Sequence, residues 1–255
     1  MSPGGPRIDQ RAPLLIGLAL LVVIVGSVGL FYLLAPRQKT AAQTNATATA
    51  QTKAKATTTS RQNPYTHTGR LVLNDVLNGA SNIDNWKQGT NNNGAGCIFK
   101  AEAYHVTQPQ AGFFHGCIAQ ATNFSNFVYQ VQMTIVDIGS GGILFRTDLA
   151  RSKTYYFSVG ADGSYAFRVY ADPNIEHARK LTPDNSTAPA LHAGPNQTNT
   201  IAVVANGPTL DLYVNLQHIA TFHDSALTSG QIGVFAENDG IPVEVVFSNA
   251  KVWTF

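Results

Sequence analysis

The chain has 255 residues, of which 13% are charged, and its formal net charge is +2 at neutral pH. Globular domains carry about 25% charged residues, so the outer surface must be polar without being strongly ionic. No run of Lys or Arg exceeds two residues, which leaves nucleic acid out as an expected partner.

Residues 1–12 are a short polar tail holding Arg7 and Arg11. Residues 13–36 are expected to form one transmembrane helix. Its centre, LLIGLALLVVIVGSVGLFYLLA from Leu14 to Ala35, carries no charge and is bracketed by Pro13 and Pro36. At about 1.5 Å per residue it spans roughly 30 Å, the thickness of a hydrocarbon core. It is longer than the apolar core of a signal peptide, about 7–15 residues. An uncleaved signal anchor is therefore expected, with the lipid bilayer as partner through residues 14–35. Ala46-Thr47-Ala48 keeps a cleaved alternative open. Lys and Arg are nearly balanced across the run, so the positive-inside rule says little. The short tail argues for a cytoplasmic amino end and a single-pass cell-membrane protein with an extracytoplasmic C-terminal domain.

Residues 37–63 are rich in Thr and Ala. From Gln38 to Gln62 there is no aromatic and no aliphatic larger than Ala, so the segment cannot bury enough apolar surface to offset its ordering. A disordered linker is expected. Asn45, Asn123, Asn185 and Asn196 each begin an Asn-x-Ser/Thr triplet, which matters only in a host that glycosylates.

Residues 64–255 are expected to be one β domain. Phe127, Tyr129, Val131, Met133 and Ile135 alternate with Val128, Gln130, Gln132 and Thr134, the period of a half-buried strand. Gly142–Arg146 and Thr154–Val159 follow, and Asp162-Gly163 supplies a hairpin turn into Ser164–Tyr170. Thr200–Ala205, Leu210–Asn215, His218–Phe222, Gln231–Ala236 and Val243–Trp253 complete the set, with turns at Asn206-Gly207-Pro208 and around Leu216-Gln217. No helical pattern is long enough for a βαβ crossover, so the strands should form an antiparallel sandwich. Trp86 and Trp253 are read as core or edge anchors.

Cys97 and Cys117 are the two cysteines. Outside the cytoplasm they are expected to form a disulfide, which would add on the order of 3 kcal/mol. A hairpin turning near Gln108–Gly112 would not set the two sulfurs opposite each other, so Gly94–Gly96 would have to fold back. A pair of buried free thiols is the alternative.

The segments GGILFRTD (141–148), YYFSVGADGSYAFRVY (155–170), NTIAVVANGPTLDLYVNLQHIATFHDSALTSGQIGVFAEN (199–238) and VEVVFSNAKVW (243–253) resemble the concanavalin A-like, laminin G-like jelly roll. They are most similar to its bacterial branch of 3-keto-disaccharide hydrolase-like domains. The resemblance covers about Asn74 to Phe255 and implies an all-β, antiparallel two-sheet jelly-roll sandwich. That fold serves lectins, glycanases and adhesive modules alike. One departure is the Asn215-Leu216-Gln217 turn, where relatives carry Gly in the middle.

Glycanases on this scaffold place paired carboxylates about 5 Å apart, in a Glu-x-Asp-x-Glu segment. The chain has none. Glu244 stands alone, and Glu237 precedes Asn238 and Asp239, where it reads as a solvated turn residue. No Gly-x-Ser-x-Gly elbow is present, and Gly139-Ser140-Gly141-Gly142 lacks the Lys-Ser/Thr of a phosphate loop. No catalytic residue and no enzymatic activity are therefore expected. Cys97, His105, His115 and Cys117 invite a zinc reading, but structural zinc sites start from closely spaced pairs, so no metal is expected there. A structural calcium held by Asp75 or Asp239 is the one cofactor entertained.

Recognition remains. If Ile143 and Phe145 face the core, Arg146 faces out; by the same alternation Tyr156, Arg168 and Tyr170 face out too. Together with Asn238 and Asp239 they form the expected ligand-binding patch, since sugars stack on aromatic rings beside charged or amide groups. The competing reading makes Arg146 and Tyr156 a structural contact that stiffens the sheet. The expected function is non-catalytic binding of a carbohydrate or another cell-surface ligand. A glycoside-acting enzyme and a purely adhesive ectodomain are the alternatives.

Overall fold

Where one face of a sheet is buried, alternating apolar and polar residues fix both the extended backbone and its register. The computed structural model describes residues 63–255 apart from 66, 68, 175 and 176. The expected tail, transmembrane helix and nearly all of the linker lie outside the described residues. Among the described residues no helix is long and apolar enough to cross a membrane.

In chain order the strands are β1 (Arg70–Asp75), β2 (Gly89–Thr90), β3 (Gly96–Lys100), β4 (Ala103–Gln108), β5 (Phe114–Phe124), β6 (Phe127–Ile135), β7 (Ser140–Asp148), β8 (Lys153–Gly160), β9 (Tyr165–Tyr170), β10 (Arg179–Lys180), β11 (Thr198–Asn206), β12 (Thr209–Val214), β13 (Gln217–His223), β14 (Gly230–Glu237) and β15 (Val243–Thr254). One sheet has nine strands in the order β13-β12-β11-β6-β15-β4-β3-β2, with β1 also pairing β15. The other has six, in the order β10-β9-β8-β7-β14-β5. All neighbours are antiparallel, as in β6 with β11 and β7 with β14. The result is the expected two-sheet jelly-roll sandwich.

Its core is the set of inward residues that alternation selects. Tyr129, Val131, Ile143, Phe145, Tyr155, Phe157, Phe167, Val203, Leu212, Val234 and Phe247 all lie buried between the sheets. Each large side chain removed from water contributes about 1.5–3 kcal/mol before chain entropy is charged. Trp86 and Trp253 are buried anchors. A second, smaller cluster covers the outer face of the nine-stranded sheet, where Tyr65 packs on Tyr213 and Trp253.

The disulfide forms, but not across a hairpin. Cys97 lies on β3 of one sheet and Cys117 on β5 of the other, with Cα atoms 5.9 Å apart. The residues around Gln108–Gly112 carry the chain from the nine-stranded sheet to the six-stranded one, so the hairpin expected there is a crossover. The fold-back that the cysteines required occurs just before β3. There the Asn91 side chain accepts the N–H groups of Asn93 and Ala95, each at 3.0 Å, and Gly94 adopts φ +82°.

The Asn215-Leu216 turn is tight although it lacks glycine. Val214 pairs directly with Gln217, and Asn215 and Leu216 have φ of 48° and 66°. Asn215 anchors it: its Oδ1 accepts the Thr200 N–H and its Nδ2 donates to Ala190 O.

Candidate functional site

The outer face of the six-stranded sheet carries the site. Its floor is Ile118, Leu144, Tyr156 and Phe235, all buried, with Phe114 and Tyr170 packed at the edge. The inward partners Ile143, Phe145, Tyr155, Phe157 and Phe167 belong to the sandwich core, so alternation sorts β8, β9 and β7 as far as Phe145 as expected. Tyr156 stacks on Phe235 with ring centroids 4.0 Å apart, and Phe114 meets it edge-on at 5.3 Å. Between β8 and β14 the intervening strand offers Gly142. A Cβ there would lie 2.8 Å from the Phe235 ring and 2.0 Å from Phe157 O, so only glycine leaves this floor intact.

Three polar groups converge on that floor. The Tyr156 hydroxyl donates to Glu237 Oε2. Arg168 Nη1 contacts Glu237 Oε1 at 3.3 Å while its guanidinium lies 5.4 Å above the Tyr156 ring. Glu237 is the last residue of β14 and its side chain is only 19% exposed. It is therefore a half-buried, doubly held carboxylate and not a solvated turn residue. Burial raises its pKa above the usual glutamate value, against the lowering effects of the Tyr156 hydrogen bond and the Arg168 charge; Asp239 adds to the rise. Burial and then the Glu237 charge hold the Tyr156 phenol far above its ordinary value.

Two clefts open near the triad, the first bordered by Arg168 and Glu237 and the second by floor residues that pack with Tyr156. One, of 400 Å³, is polar and is lined by Ser140, Ser158, Asp162, Arg168, Lys180, Glu237 and Asp239, with Tyr165 at its side. The other, of 320 Å³, is apolar at its base, with Phe114, Ile118, Leu144, Tyr170 and Pro173, and has Asp148, Lys153 and Asp172 on its rim. Arg168 and Tyr170, two residues apart on β9, each line one cleft. In the polar cleft the Ser140 hydroxyl donates to Asp239 Oδ2 at 2.6 Å. Lys180 is ion-paired with Asp184.

Of the expected patch, the structure thus gathers Tyr156, Arg168, Tyr170 and Asp239. Two residues are corrected. Arg146 is 1% exposed and points away from the patch. A bulge at this point inserts one extra residue into β7 relative to both neighbours, between Phe145 and Asp148 against β8 and between Leu144 and Thr147 against β14. Arg146 takes φ +49°, which breaks the alternation. Its guanidinium donates to Ser125 O and Leu227 O, at 2.7 and 2.9 Å, and so holds two chain segments together. Asn238 is likewise 1% exposed. Its backbone N–H donates to Phe113 O and its Nδ2 to Gln108 O, while its Oδ1 accepts the Gly240 N–H. It shapes the loop and offers nothing to a ligand. Tyr156 keeps its expected side of the sheet but lies wholly under its neighbours, so no sugar can stack on it.

The metal readings separate as well. Asp75 accepts the Leu77 N–H and the Trp86 indole N–H, whereas Asp239 sits beside Ser140 on the six-stranded sheet, so they do not make one calcium site. His105 Nδ1 lies 2.6 Å from Glu244 Oε1. His115 remains close to the two sulfurs, which are bonded to each other.

Residues 73–252 match the sequence profile of the 3-keto-alpha-glucoside-1,2-lyase-like domain. The chain belongs to this family. Among solved structures it is similar to a β-glucanase from Bacillus licheniformis, at 13% identity and a TM-score of 0.50, covering 74% of this chain and 100% of that one. A carbohydrate-binding module, CBM66 from Bacillus subtilis, aligns at 18% identity and a TM-score of 0.49 over 67% of this chain and 93% of that one. A Bacillus subtilis protein of unknown function with a galectin-like fold aligns at 14% and 0.49, over 73% and 96%. No curated protein matches the chain. At 13% identity the likeness to the β-glucanase bears on the jelly-roll fold and on nothing finer.

Proposed function

We propose that this member of the family binds a carbohydrate on the outer face of its six-stranded sheet without turning it over. The observation that carries the reading is a polar cleft bordered by Arg168 and Glu237 on the same face as an apolar cleft bordered by Phe114, Leu144 and Tyr170. A sugar has the same two characters, hydroxyl edges and a CH-lined face, and is recognised by convergent polar groups beside exposed apolar surface. The family description, with its glucoside substrate, supports carbohydrate as the ligand class. Both oxygens of Glu237 are already engaged, by Tyr156 and Arg168, which suits a fixed recognition surface. The uncharged run at residues 14–35 supports a membrane-anchored setting, and the short polar tail before it supports an extracytoplasmic β domain.

A second reading is favoured by one feature. Glu237 is a carboxyl whose pKa is raised by burial, as general acids of glycoside-acting enzymes are. Incubating the full chain with oxidised and unoxidised disaccharides, followed by chromatography, separates the two. No turnover above a blank is expected. Turnover that disappears in Glu237→Gln would establish the enzyme.

A further inference from the structure

A set of soft-metal donors lies at the edge of the sandwich, apart from the sugar clefts. Cys97 Sγ, Cys117 Sγ and a ring nitrogen of His115 all fall within 4.8 Å of one another. His115 stands two residues before Cys117 on β5, so both side chains leave the strand on one side. Both cysteines are fully buried. His115 Nε2 is buried as well and has no hydrogen-bond partner, an arrangement that folded proteins rarely leave without a use. While the sulfurs are bonded to each other, neither can act as a thiolate ligand.

We propose that breaking the Cys97–Cys117 bond converts this corner into a Cys2His site for one cation of the zinc class. A phosphine reductant supplies two electrons and is itself oxidised to the phosphine oxide, taking up the oxygen of one water. The S–S bond breaks, two protons from water complete the two thiols, and metal binding then releases both thiol protons to solvent. Zinc takes sulfur at about 2.3 Å and nitrogen at about 2.0–2.1 Å, so one ion fits among three donors this close. The sulfurs need to part only to about 3.8 Å, the edge of a tetrahedron with those bond lengths. The movement falls on the margins of the two sheets: β5 is the last strand of its sheet, held on its outer side by the short segment 84–87, and β3 is followed only by the two-residue β2. Three protein ligands leave a fourth position for water. In this arrangement an unoxidised chain captures the cation and disulfide formation expels it.

The test titrates the full chain with Co²⁺ alone, and separately with Zn²⁺ alone, before and after reduction by a phosphine, with circular dichroism followed in parallel. Residues 1–62 contain neither Cys nor His and add no competing ligand. The reduced chain should bind one Co²⁺ with thiolate-to-cobalt charge-transfer absorption, and Zn²⁺ should raise its Tm; the oxidised chain should show neither effect. His115→Ala should bind at least about tenfold more weakly when reduced, and the Cys97→Ser/Cys117→Ser double variant should stay folded and show no charge-transfer band. Equal binding by His115→Ala overturns the proposal. So does a reduced chain that keeps its sheet signal without binding Co²⁺, or one that unfolds and is not restored by excess Zn²⁺.

Discussion

Tyr156 donates its hydroxyl proton to Glu237 from two strands away, across the bare backbone of Gly142 on the strand between them. This contact fixes the centre of the candidate site. The aromatic ring supplies the buried floor, the carboxylate supplies charge at the surface, and Arg168 bridges the two from β9. Arg168, Tyr170 and Asp239 line the clefts of this face, whereas Tyr156 lies buried beneath them and acts through what it holds in place.

Arg146 and Arg168 should separate stability from recognition. Arg146→Ala removes a buried guanidinium bonded to two carbonyls and should cost about 3 kcal/mol. For a domain of this size that lowers Tm by about 6–12 °C. Arg168→Ala loses a cation–π contact and a half-exposed ion pair, worth about 1 kcal/mol, and should lower Tm by about 2–4 °C while weakening sugar binding at least about tenfold. Thermal melts read beside a binding titration check both.

The fold and the centre of the site were legible for different reasons. Alternation gave the inward and outward sets on β7, β8 and β9 because each strand buries one face completely. Arg146 escaped that logic. A bulge adds a residue without changing composition, and nothing in GGILFRTD marks where the backbone turns to φ +49°. In sequence Glu237 reads as a solvated turn residue, because Asn238-Asp239-Gly240 follow it. Its burial comes from Tyr156 and Arg168, which reach it from β8 and β9, neither of them next to β14 in the sheet. The cysteines could be paired from composition, yet their placement in opposite sheets depends on a crossover that looks like a hairpin in sequence.

Glu237 should give the domain a pH signature. Its folded-state pKa is raised, so the proton is held more tightly in the native state than in the unfolded chain. The associated stability is fully present below the unfolded glutamate pKa and is lost as pH rises through the higher folded value. Glu237→Gln should abolish this component of the pH dependence of Tm. If ligand hydroxyls donate to the carboxylate, affinity should move the opposite way and fall as pH drops through the same range.

The glycine between the two aromatics should not tolerate a methyl group. Gly142→Ala drives a Cβ into Phe157 O and the Phe235 ring and should cost about 2–3 kcal/mol as an overpacking change. The strands should separate at the Tyr156–Phe235 stack, visible as a changed near-UV dichroism of the tyrosines along with the lower Tm.

Leu216 offers the reverse case. It sits exposed in the left-handed region at φ +66°, a conformation that costs a branched side chain about 1–2 kcal/mol. Leu216→Gly removes that cost but loosens the unfolded chain, so a net gain of about 0.5–1 kcal/mol is expected, read as a Tm rise of about 1–4 °C.

The most direct measurement is saturation binding of the full chain to a panel of immobilised oligosaccharides, run beside Arg168→Ala and Tyr170→Ala. Saturable binding is predicted for the unaltered chain, with affinity at least about tenfold lower in both variants and their folds intact. Binding that ignores both substitutions, or none to any sugar on the panel, would contradict the assignment of this face.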